Sequence, residues 1–486
     1  MRAPSVFGLA DDLSGAAETA AVLMSSGRPA RIALSGPPYA SSAPVVVADL
    51  DCRYRAGAGE VVREALRHVG ERRVFVKIDS LLRGEVSAMT AATLSAAALG
   101  TATLDAAAQG AATSDAAVLG VVTLDAAAPG VVASDAAAPG VVTPDAAVRR
   151  PADPALVVFA PALPSAGRVT VGGVPYIGGL ALRETRAWQV EARPAPASIG
   201  DALGGVPVAL VPLATVRADR ATLVRALSRT AGRVAVCDAE TDADLDAIVA
   251  AAHTADPRAR LIGAGGLATA LGRALAFDGD RTSALVGDRI QATASGRVVD
   301  SDRIQATVSG RIVDGRFPIT PRQSSQDRPL LIVVGTAEPG AADQARRLLP
   351  YGARPLTLDA TTDLAPTRRA HLAHHLRAAL SPSTALVVLT LTGQGPPDAA
   401  AALAEIVATA LTGDRAPDLV LTGGETARRV LDALKVRELT PVGQIHHGAV
   451  HCHTPEGRSV VTRPGSFGDR DSLLRIAAHL APERLT

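Results

Sequence analysis

Two acidic residues stand at the point where the first apolar segment of the chain ends. The segment ADDLSGA (residues 10–16) follows a short apolar run and opens a helical pattern. Carboxylates at the C-terminal end of a strand lie where open α/β sheets bind ligands, and a carboxylate there can orient and deprotonate a hydroxyl group. A structural alternative is that Asp12 or Ser14 caps the helix by accepting hydrogen bonds from its free backbone N–H groups.

A second charged segment, VKIDSLLRG (76–84), also leaves a predicted strand. Four of its side chains are charged or carry a hydroxyl group: Lys77, Asp79, Ser80 and Arg83. This mixture suits an anionic, hydroxylated ligand, because a guanidinium can donate two parallel hydrogen bonds to a carboxylate. A cluster of surface ion pairs would have the same composition. The segment DLDCR (49–53) places Arg53 at a third strand end, and the three segments together predict a binding site.

Three glycine-rich turns occur in the second half of the chain. In LVLTGGETA (419–427), a predicted strand, a Gly-Gly turn and a helix start follow one another. Free N–H groups and the positive end of the helix would face a phosphate there, although a tight strand-to-helix connection also favours glycine. The segments VGTAEPG (334–340) and RPGSFGD (463–469) have the same character. The pattern GxxxxGK[ST] of P-loop proteins occurs nowhere in the chain.

Short β-branched runs alternate with Ala-, Leu- and Arg-rich helical patterns through most of the chain. This alternation is typical of α/β folds, in which helices cover mainly parallel sheets. A helix is predicted at 60–69. Strands are predicted at 43–50, 73–78, 155–160, 206–211, 233–237, 258–262, 330–334, 385–389 and 419–421.

The length of 486 residues predicts two domains, because single hydrophobic cores stop growing at roughly 250 to 300 residues. A ten-residue unit resembling VVTLDAAAPG recurs over 95–148. We interpret it as a low-complexity insertion rather than a small solenoid, since Ala, Gly and Pro bury little apolar area. A fourteen-residue duplication begins at Asp288 and again at Asp302. We therefore predict domains at 1–280 and 329–486, joined by a linker at 281–328.

Charge and cysteine content argue against several classes of protein. The formal charge of +1, with acids and bases interspersed, leaves no long basic stripe for a nucleic-acid backbone. The three cysteines lie far apart and predict neither a disulfide framework nor a CxxC metal site, which fits a cytoplasmic protein. No signal peptide is expected, and no uncharged apolar stretch of about 18 residues predicts a membrane span.

Five segments together resemble the signatures of the four-carbon acid sugar kinases, a bacterial family formerly described as a domain of unknown function. They are ADDLSGA (10–16), KIDSLLRG (77–84), APALPSAGRVTVGGVPYIGG (160–179), TGGETA (422–427) and RPGSFGD (463–469). The resemblance covers nearly the whole chain apart from the two repeats. It implies a sugar-acid-binding domain followed by a nucleotide-binding domain, each with a mainly parallel sheet flanked by helices, and an active site in the cleft between them.

The resemblance also implies an activity and a set of site residues. Family members use ATP, with Mg²⁺ on its phosphates, to phosphorylate a hydroxyl of threonate, erythronate or 3-oxo-tetronate type acids. The expected catalytic residues are Asp12 and Asp79, with Asp12 preferred as the base. The expected substrate-binding residues are Asp11, Arg53, Lys77, Ser80 and Arg83. The expected ATP-binding residues are Thr336, Gly423, Gly424, Glu425, Thr426, Gly465 and Gly468. No protein-held metal is expected, the partners are the sugar acid and ATP, and a homodimer is left open.

Four positions depart from the family pattern: Cys52, Leu81, Ala264 and Arg463. They leave open a divergent, non-catalytic ligand-binding protein. A further alternative is an NAD(P)-dependent oxidoreductase, because GAGGLA (263–268) matches the GxGxxA fingerprint, although no clear acidic strand end follows about twenty residues later.

The histidines of HHGAVHCH (446–453) are potential zinc ligands. Adjacent residues of a strand point to opposite sides, however, and we interpret this segment as solvated or partly packed.

Overall fold

A computed structural model describes most of the chain. The described residues are 5–25, 28–37, 39, 41–98, 154–188, 191, 193–276, 328–335, 339–382, 385–393, 398–412, 416–465 and 468–485. Both predicted repeats lie outside these ranges, except for residues 95–98, which complete a helix.

Eighteen strands are present in these ranges. They are β1 (Val6–Ala10), β2 (Ala30–Ala33), β3 (Val45–Asp49), β4 (Arg73–Lys77), β5 (Val157–Ala160), β6 (Arg168–Val171), β7 (Val174–Ile177), β8 (Leu180–Ala181), β9 (Val208–Val211), β10 (Val234–Cys237), β11 (Arg260–Gly263), β12 (Leu330–Val334), β13 (Arg354–Asp359), β14 (Leu386–Thr392), β15 (Asp418–Thr422), β16 (Glu438–His446), β17 (Ala449–His453) and β18 (Ser459–Arg463).

Helices follow most of the parallel strands in the described residues. They are α1 (Leu13–Leu23), α2 (Ala58–Leu66), α3 (Val86–Ala98), α4 (Ile199–Leu203), α5 (Leu213–Val216), α6 (Arg220–Ser228), α7 (Asp242–Ala255), α8 (265–276), α9 (Pro339–Arg346), α10 (Pro366–Ala379), α11 (Ala399–Ala410), α12 (Gly424–Ala433) and α13 (Ser472–Leu480). None of them is both long and apolar enough to cross a membrane.

One sheet of 15 strands runs through both halves of the molecule, in the order β13-β14-β12-β15-β18-β17-β16-β2-β3-β1-β4-β11-β5-β10-β9. The strands from β2 to β9 in this order are parallel. In the C-terminal half, the five neighbouring strands β13, β14, β12, β15 and β18 are parallel to one another. Strands β17 and β16 follow in the sheet and are antiparallel to their neighbours. The predicted α/β class with mainly parallel, helix-flanked sheets is confirmed.

The two halves meet where the antiparallel edge strands β16 and β2 pair. Glu438 lies opposite Ala33, and Leu439 lies opposite Ile32. Neither strand is among those predicted from the sequence, because short or polar edge strands lack the continuous apolar run of strands buried on both faces. Strand β3, which the sequence predicted, is buried at every position.

Helix α1 is the element that both halves share. It packs against β1, β2 and β3 of the N-terminal half and against α12 and β16, β17 and β18 of the C-terminal half. Its buried positions include Leu13, Ala16, Ala20 and Leu23. The start of α1, which carries the first acidic segment, is therefore fixed relative to both halves.

A small antiparallel sheet, β6-β7-β8, covers one end of the N-terminal half. Asp238, at the end of β10, anchors it by accepting hydrogen bonds of 2.8 Å from the backbone N–H groups of Gly172 and Gly173. The isolated bridge between Thr170 and Ala239 adds a second attachment. The sheet therefore lies at the C-terminal ends of the parallel strands, beside the charged segments.

Candidate active site

The first acidic segment lies between β1 and α1, at the C-terminal end of the strand. Asp12 caps α1, because its Oδ1 accepts a 2.8 Å hydrogen bond from the Gly15 N–H group. Its Oδ2 accepts a 2.8 Å hydrogen bond from Nη1 of Arg53. The Nε and Nη2 of Arg53 donate to the two carboxylate oxygens of Asp11 at 2.7 and 2.8 Å. Helix capping and ion pairing therefore coexist at Asp12.

The electrostatics of this cluster keep its arginine charged. Burial raises the pKa of Asp11, against the opposing effect of Arg53. Burial by itself would lower the pKa of Arg53, but Asp11 and Asp12 hold it well above its usual value. The side chain of Asp12 is 17% exposed, whereas that of Asp11 is 1% exposed. Asp12 is thus the carboxylate of the pair that a ligand can reach.

Lys77, the last residue of β4, lies beneath the first turn of α1. Its Nζ is 3.4 Å from Oε2 of Glu18 on α1. A Cβ atom at Gly15 would lie 2.9 Å from Oδ1 of Asp12 and 3.1 Å from Cγ of Lys77. Glycine at this position therefore allows the lysine and the carboxylate to approach the same helical turn.

Asp79 and Arg83 form an ion pair within the second charged segment. Nε and Nη2 of Arg83 donate to the two oxygens of Asp79 at 2.7 and 2.9 Å, and the Leu81 N–H group donates to Oδ2 at 3.1 Å. Burial would raise the pKa of Asp79, but the hydrogen bonds from Arg83 and the charge of Arg53 hold it well below its usual value. Both oxygens are directed into the segment itself, so Asp79 is poorly placed to take a proton from a ligand.

Arg168 on β6 joins this region, although the sequence analysis gave it no role. Its Nη1 donates a hydrogen bond to Oγ of Ser80. Arg168, Ser80 and Thr170 line a small open cleft together with Tyr176. The available signal was a basic residue within the family segment 160–179.

Trp188 holds the loop that carries Asp79 through a hydrogen bond and an apolar contact. Trp188 donates a 2.8 Å hydrogen bond from Nε1 to the Leu81 carbonyl. The side chains of Leu81, Leu182 and Trp188 form a small apolar cluster. A Cβ atom at Gly84, whose φ is +78°, would collide with the Arg53 carbonyl oxygen. Leu81, one of the departures from the family pattern, therefore has a packing role.

Two further departures are also buried. Cys52 is fully buried, and burial raises the pKa of its thiol to about 12. It therefore stays protonated near neutral pH and is no nucleophile. Ala264 is 1% exposed at the start of α8. Neither side chain presents a group to a ligand.

The Gly-Gly turn joins β15 to α12. Gly423 has a φ of +89°, and its N–H group donates a 2.8 Å hydrogen bond to the Arg463 carbonyl. The hydroxyl of the buried Thr426 donates to the Gly335 carbonyl at 3.4 Å, and a Cβ atom at Gly335 would collide with it. Glu425 is exposed in the first turn of α12. Thr336 lies outside the described residues.

Arg463, at the end of β18, is fully buried. Its Nη1 donates to Oε1 of Gln344 at 2.7 Å and to Oγ of Ser472 at 2.9 Å. Gln344 in turn donates to the Gly468 carbonyl at 3.3 Å. Burial lowers the pKa of Arg463 to about 10, so it remains charged at neutral pH. Arg463 thus fixes the last glycine loop, in which Gly465 is partly buried and Gly468 has a φ of +88°.

The two halves also come into contact at the start of α12. A Cβ atom at Gly424 would lie 2.6 Å from Oδ2 of Asp12 and 3.3 Å from Oγ of Ser14. The preferred catalytic carboxylate therefore lies against the N-terminus of the helix that the Gly-Gly turn begins. The fold brings the charged strand ends of one half and a glycine turn of the other half to one place.

The acidic residues of the segment DLDCR have a different function from Arg53. Asp49 accepts a 3.0 Å hydrogen bond from Nη1 of Arg428, and Asp51 accepts one of 2.8 Å from Nη1 of Arg429. Both arginines belong to α12. These carboxylates pair the two halves rather than face a ligand, and the sequence analysis did not single out either arginine.

The glycines of GAGGLA serve close packing. A Cβ atom at Gly265 would lie 2.5 Å from Oε1 of Glu18, and one at Gly266 would lie 2.5 Å from the Ala162 carbonyl oxygen. Protein atoms thus fill the space beside the turn that a dinucleotide pyrophosphate would need. This arrangement disfavours the oxidoreductase alternative.

The histidines of the last hairpin make contacts with α13. His446 hydrogen-bonds Ser472 at 3.0 Å, and His451 hydrogen-bonds His479 at 3.2 Å. Among the described residues, no group of three or more metal-ligating side chains is placed to hold an ion.

Comparison with known proteins gives the family. Residues 6–271 match the sugar-binding N-terminal domain, and residues 331–473 match the nucleotide-binding C-terminal domain. The chain belongs to the four-carbon acid sugar kinase family, and it is a sugar acid kinase by that membership.

Two relatives extend over essentially the whole chain. A D-threonate kinase from Cupriavidus necator is 29% identical over 484 residues, which cover 96% of this chain and 95% of the relative. A D-threonate kinase from Bordetella bronchiseptica is 26% identical over 512 residues, which cover 100% of both chains.

Two crystal structures share the fold. A protein from Salmonella typhimurium LT2 superposes with a TM-score of 0.64 at 18% identity, covering 98% of this chain and 99% of that one. A Haemophilus influenzae protein superposes with a TM-score of 0.60 at 17% identity, covering 98% and 100%.

Proposed function

We propose that this protein transfers the γ-phosphoryl group of ATP to a hydroxyl of a four-carbon sugar acid of the threonate, erythronate or 3-oxo-tetronate type. The observation that carries the proposal is the contact between Asp12 and Gly424. A kinase must bring an acceptor hydroxyl and a phosphate together. Here a carboxylate of the sugar-binding half abuts a helix N-terminus of the nucleotide-binding half. The two relatives named D-threonate kinase support the same substrate class.

In this proposal Asp12 orients the acceptor hydroxyl and removes its proton. Its Oδ1 is held by the Gly15 N–H group and its Oδ2 by Arg53, so the carboxylate has a fixed direction. Asp79 differs because a single guanidinium, that of Arg83, holds both of its oxygens, and because its side chain is 9% exposed against 17% for Asp12. We therefore assign the base to Asp12 and a structural role to Asp79.

The substrate's carboxylate binds on the basic side of the site in this proposal. Arg168 donates to Ser80, Arg83 pairs with the neighbouring Asp79, and Lys77 ends the strand that leads to this segment. Guanidinium groups recognise carboxylates with directed hydrogen bonds, whereas an ammonium acts as a compact charge. An acid with several hydroxyls matches this mixture of cations and hydroxyl groups.

The glycine turns supply the phosphate contacts. The N–H groups at the start of α12 point away from the helix, and the helix dipole favours negative charge there. Mg²⁺ at such a site is held mainly by phosphate oxygens and one or two carboxylates, and it neutralises charge on the phosphates. The sequence predicted no protein ligand for this ion; if one carboxylate of the chain held it, Glu425, exposed in the first turn of α12, could do so.

The proposal is tested by measuring ADP release from ATP and Mg²⁺ with a panel of four-carbon sugar acids. ADP formation that depends on one acid, in equal amount to a phosphorylated product, is the expected result. ATP binding without turnover on any acid of the panel would instead favour the non-catalytic alternative. Binding of NADH without binding of ATP would favour the oxidoreductase alternative.

Substituting the proposed base gives a sharper test. Asp12→Asn should lower kcat by about 100- to 10,000-fold, the usual contribution of a general base, and leave the Kd of ATP within about 2-fold. Asn is a good N-cap and Arg53 keeps its two hydrogen bonds to Asp11, so the fall in Tm should be small. Asp219→Asn is the matched control, because Asp219 caps the remote helix α6 by the same kind of bond, at 3.0 Å from the Thr222 N–H group. Unchanged turnover in Asp12→Asn would remove this residue from the mechanism.

A further inference from the structure

Two ion pairs connect α12 to the end of β3 in the other half of the molecule. Arg428 donates to Oδ2 of Asp49 at 3.0 Å, and Arg429 donates to Oδ2 of Asp51 at 2.8 Å. The proposed site uses Arg53 of the same segment, but it uses neither of these two carboxylates. Their function must therefore be sought in the contact between the halves.

The Arg428 pair is the more buried of the two. The side chain of Asp49 is 0% exposed and that of Arg428 is 14% exposed, whereas Arg429 and Asp51 are 37% and 27% exposed. Arg428 also donates to the Leu34 carbonyl at 2.6 Å. One guanidinium thus joins α12 to the end of β3 and to the residue that follows β2. A buried guanidinium with several fixed acceptors has little freedom to move.

The position of Arg428 in α12 relates this contact to the site. Residues four apart lie on the same face of a helix, one turn from each other, and Arg428 follows Gly424 by four residues. Asp49 ends the strand next to β1, which leads to Asp12. The contact of Gly424 with Asp12 and the contact of Arg428 with Asp49 are therefore consecutive contacts along one helix face.

We propose that Arg428 is a positioning residue: through Asp49 and the Leu34 carbonyl it sets the position of the glycine turn at the start of α12 relative to Asp12. The inference rests on the proposed kinase function. Arg428 touches neither substrate in this scheme. Its effect is on the rate of transfer between two bound substrates, because displacement of a reacting group by about 1 Å can lower the rate roughly 100-fold.

The test compares substitutions that separate this contact from the stability of α12. Arg428→Gln removes the contacts to the other half, and Arg428→Lys keeps the charge but cannot reach two acceptors as a guanidinium does. Asp432→Asn is the matched control, since Asp432 accepts from Nε of Arg428 at 3.0 Å within α12 itself. The measurements are kcat, the KM of each substrate and the Kd of ATP, with Tm as a folding check.

The expected result is a fall in kcat of roughly 100-fold for Arg428→Gln and a smaller fall for Arg428→Lys. Both KM values and the Kd of ATP should stay within about 3-fold, and Asp432→Asn should behave like wild type. Equal losses in Arg428→Gln and Asp432→Asn, or a loss confined to KM, would overturn the inference. If Arg428→Gln does not fold, equal kcat values for Arg428→Lys and wild type would overturn it as well.

A wild-type protein that shows no acid-dependent ADP formation would overturn the proposed function instead. This outcome differs from an active kinase whose rate does not depend on Arg428, so the two failures are distinguishable. Absence of activity would also remove the inference about Arg428, because that inference rests on the kinase activity.

Discussion

At the scale of single residues, surroundings decide what each carboxylate of the site can do. Asp12 and Asp79 both follow strands that end at the same edge of the sheet. Asp79 is closed in a two-point ion pair with Arg83, whereas Asp12 keeps solvent access and lies against the partner half. Residue type alone does not distinguish them. The difference lies in which hydrogen-bond donors each carboxylate meets.

The pairing of Asp79 predicts a pH-dependent contribution to stability. Its pKa in the folded protein lies below that of the unfolded chain, about 3.9. The contribution is therefore fully present above that value and decreases as the pH falls below it. Asp79→Asn should lower the free energy of unfolding at pH 7 by about 3 kcal/mol, as for a buried ion pair that loses one partner.

Urea unfolding of both proteins at pH 7 and at pH 3 checks this. The difference between wild type and Asp79→Asn should be smaller at pH 3. A difference of the same size at both pH values would show that the ionised carboxylate of Asp79 is not what stabilises the loop.

At the scale of secondary-structure elements, two helices and one glycine bring the halves together. The start of α1 is fixed by packing against both halves, and α12 approaches it end-on. Because Gly424 lacks a side chain, the carboxylate of Asp12 can lie against its Cα atom. A strand-to-helix turn in isolation would tolerate alanine at this position, since alanine is a good helix former.

Gly424→Ala should therefore impair catalysis without unfolding α12. The new methyl group would lie 2.6 Å from Oδ2 of Asp12 and must displace it. We expect kcat to fall by about 10- to 100-fold, as for a displaced catalytic group. The Kd of ATP should change less than kcat, because the backbone N–H groups proposed to bind the phosphates are kept.

Gly443→Ala is a suitable control, because a Cβ atom there meets nothing within 4 Å. Steady-state kinetics and nucleotide titration of both variants provide the measurement. Equal kcat values in the two variants would contradict the close contact at Gly424.

At the scale of the whole molecule, both halves form one sheet with the site near their junction. The pairing of β16 with β2 and the Arg428 and Arg429 ion pairs all lie near this junction. The described residues on either side of the predicted low-complexity insertion lie close together. The chain leaves the described part after Ala98 and returns at 154, and the Ala155 N–H group donates a 3.0 Å hydrogen bond to the Ala97 carbonyl.

The insertion should therefore be dispensable. Replacing residues 101–150 with a four-residue Gly/Ser linker leaves the ends where they already meet. We expect unchanged kcat and KM and a gain in the free energy of unfolding of about 1 kcal/mol, because a shorter loop loses less entropy on closure. Kinetics and urea unfolding measure both quantities. A marked loss of activity would show instead that the insertion has a function.

The sequence alone determined the fold class and the family. Buried parallel strands appear as continuous apolar runs, so β3, β4, β12 and β15 could be placed within a few residues. Several ordered motifs together identified a family that the comparisons confirm. The site residues remain predictions, and the structure brings Asp11, Asp12, Arg53, Lys77 and Gly424 close together.

Only the tertiary structure decided how the halves meet and what each charged residue faces. The pairing of β2 with β16, the part played by Arg168 and the ion pairs of Asp49 and Asp51 with α12 join residues far apart in the chain. Local propensity contains no information about such partners, because an ion pair or an edge-strand pairing depends on distances in space. For the same reason, sequence spacing could not separate the reachable carboxylate of Asp12 from the enclosed one of Asp79.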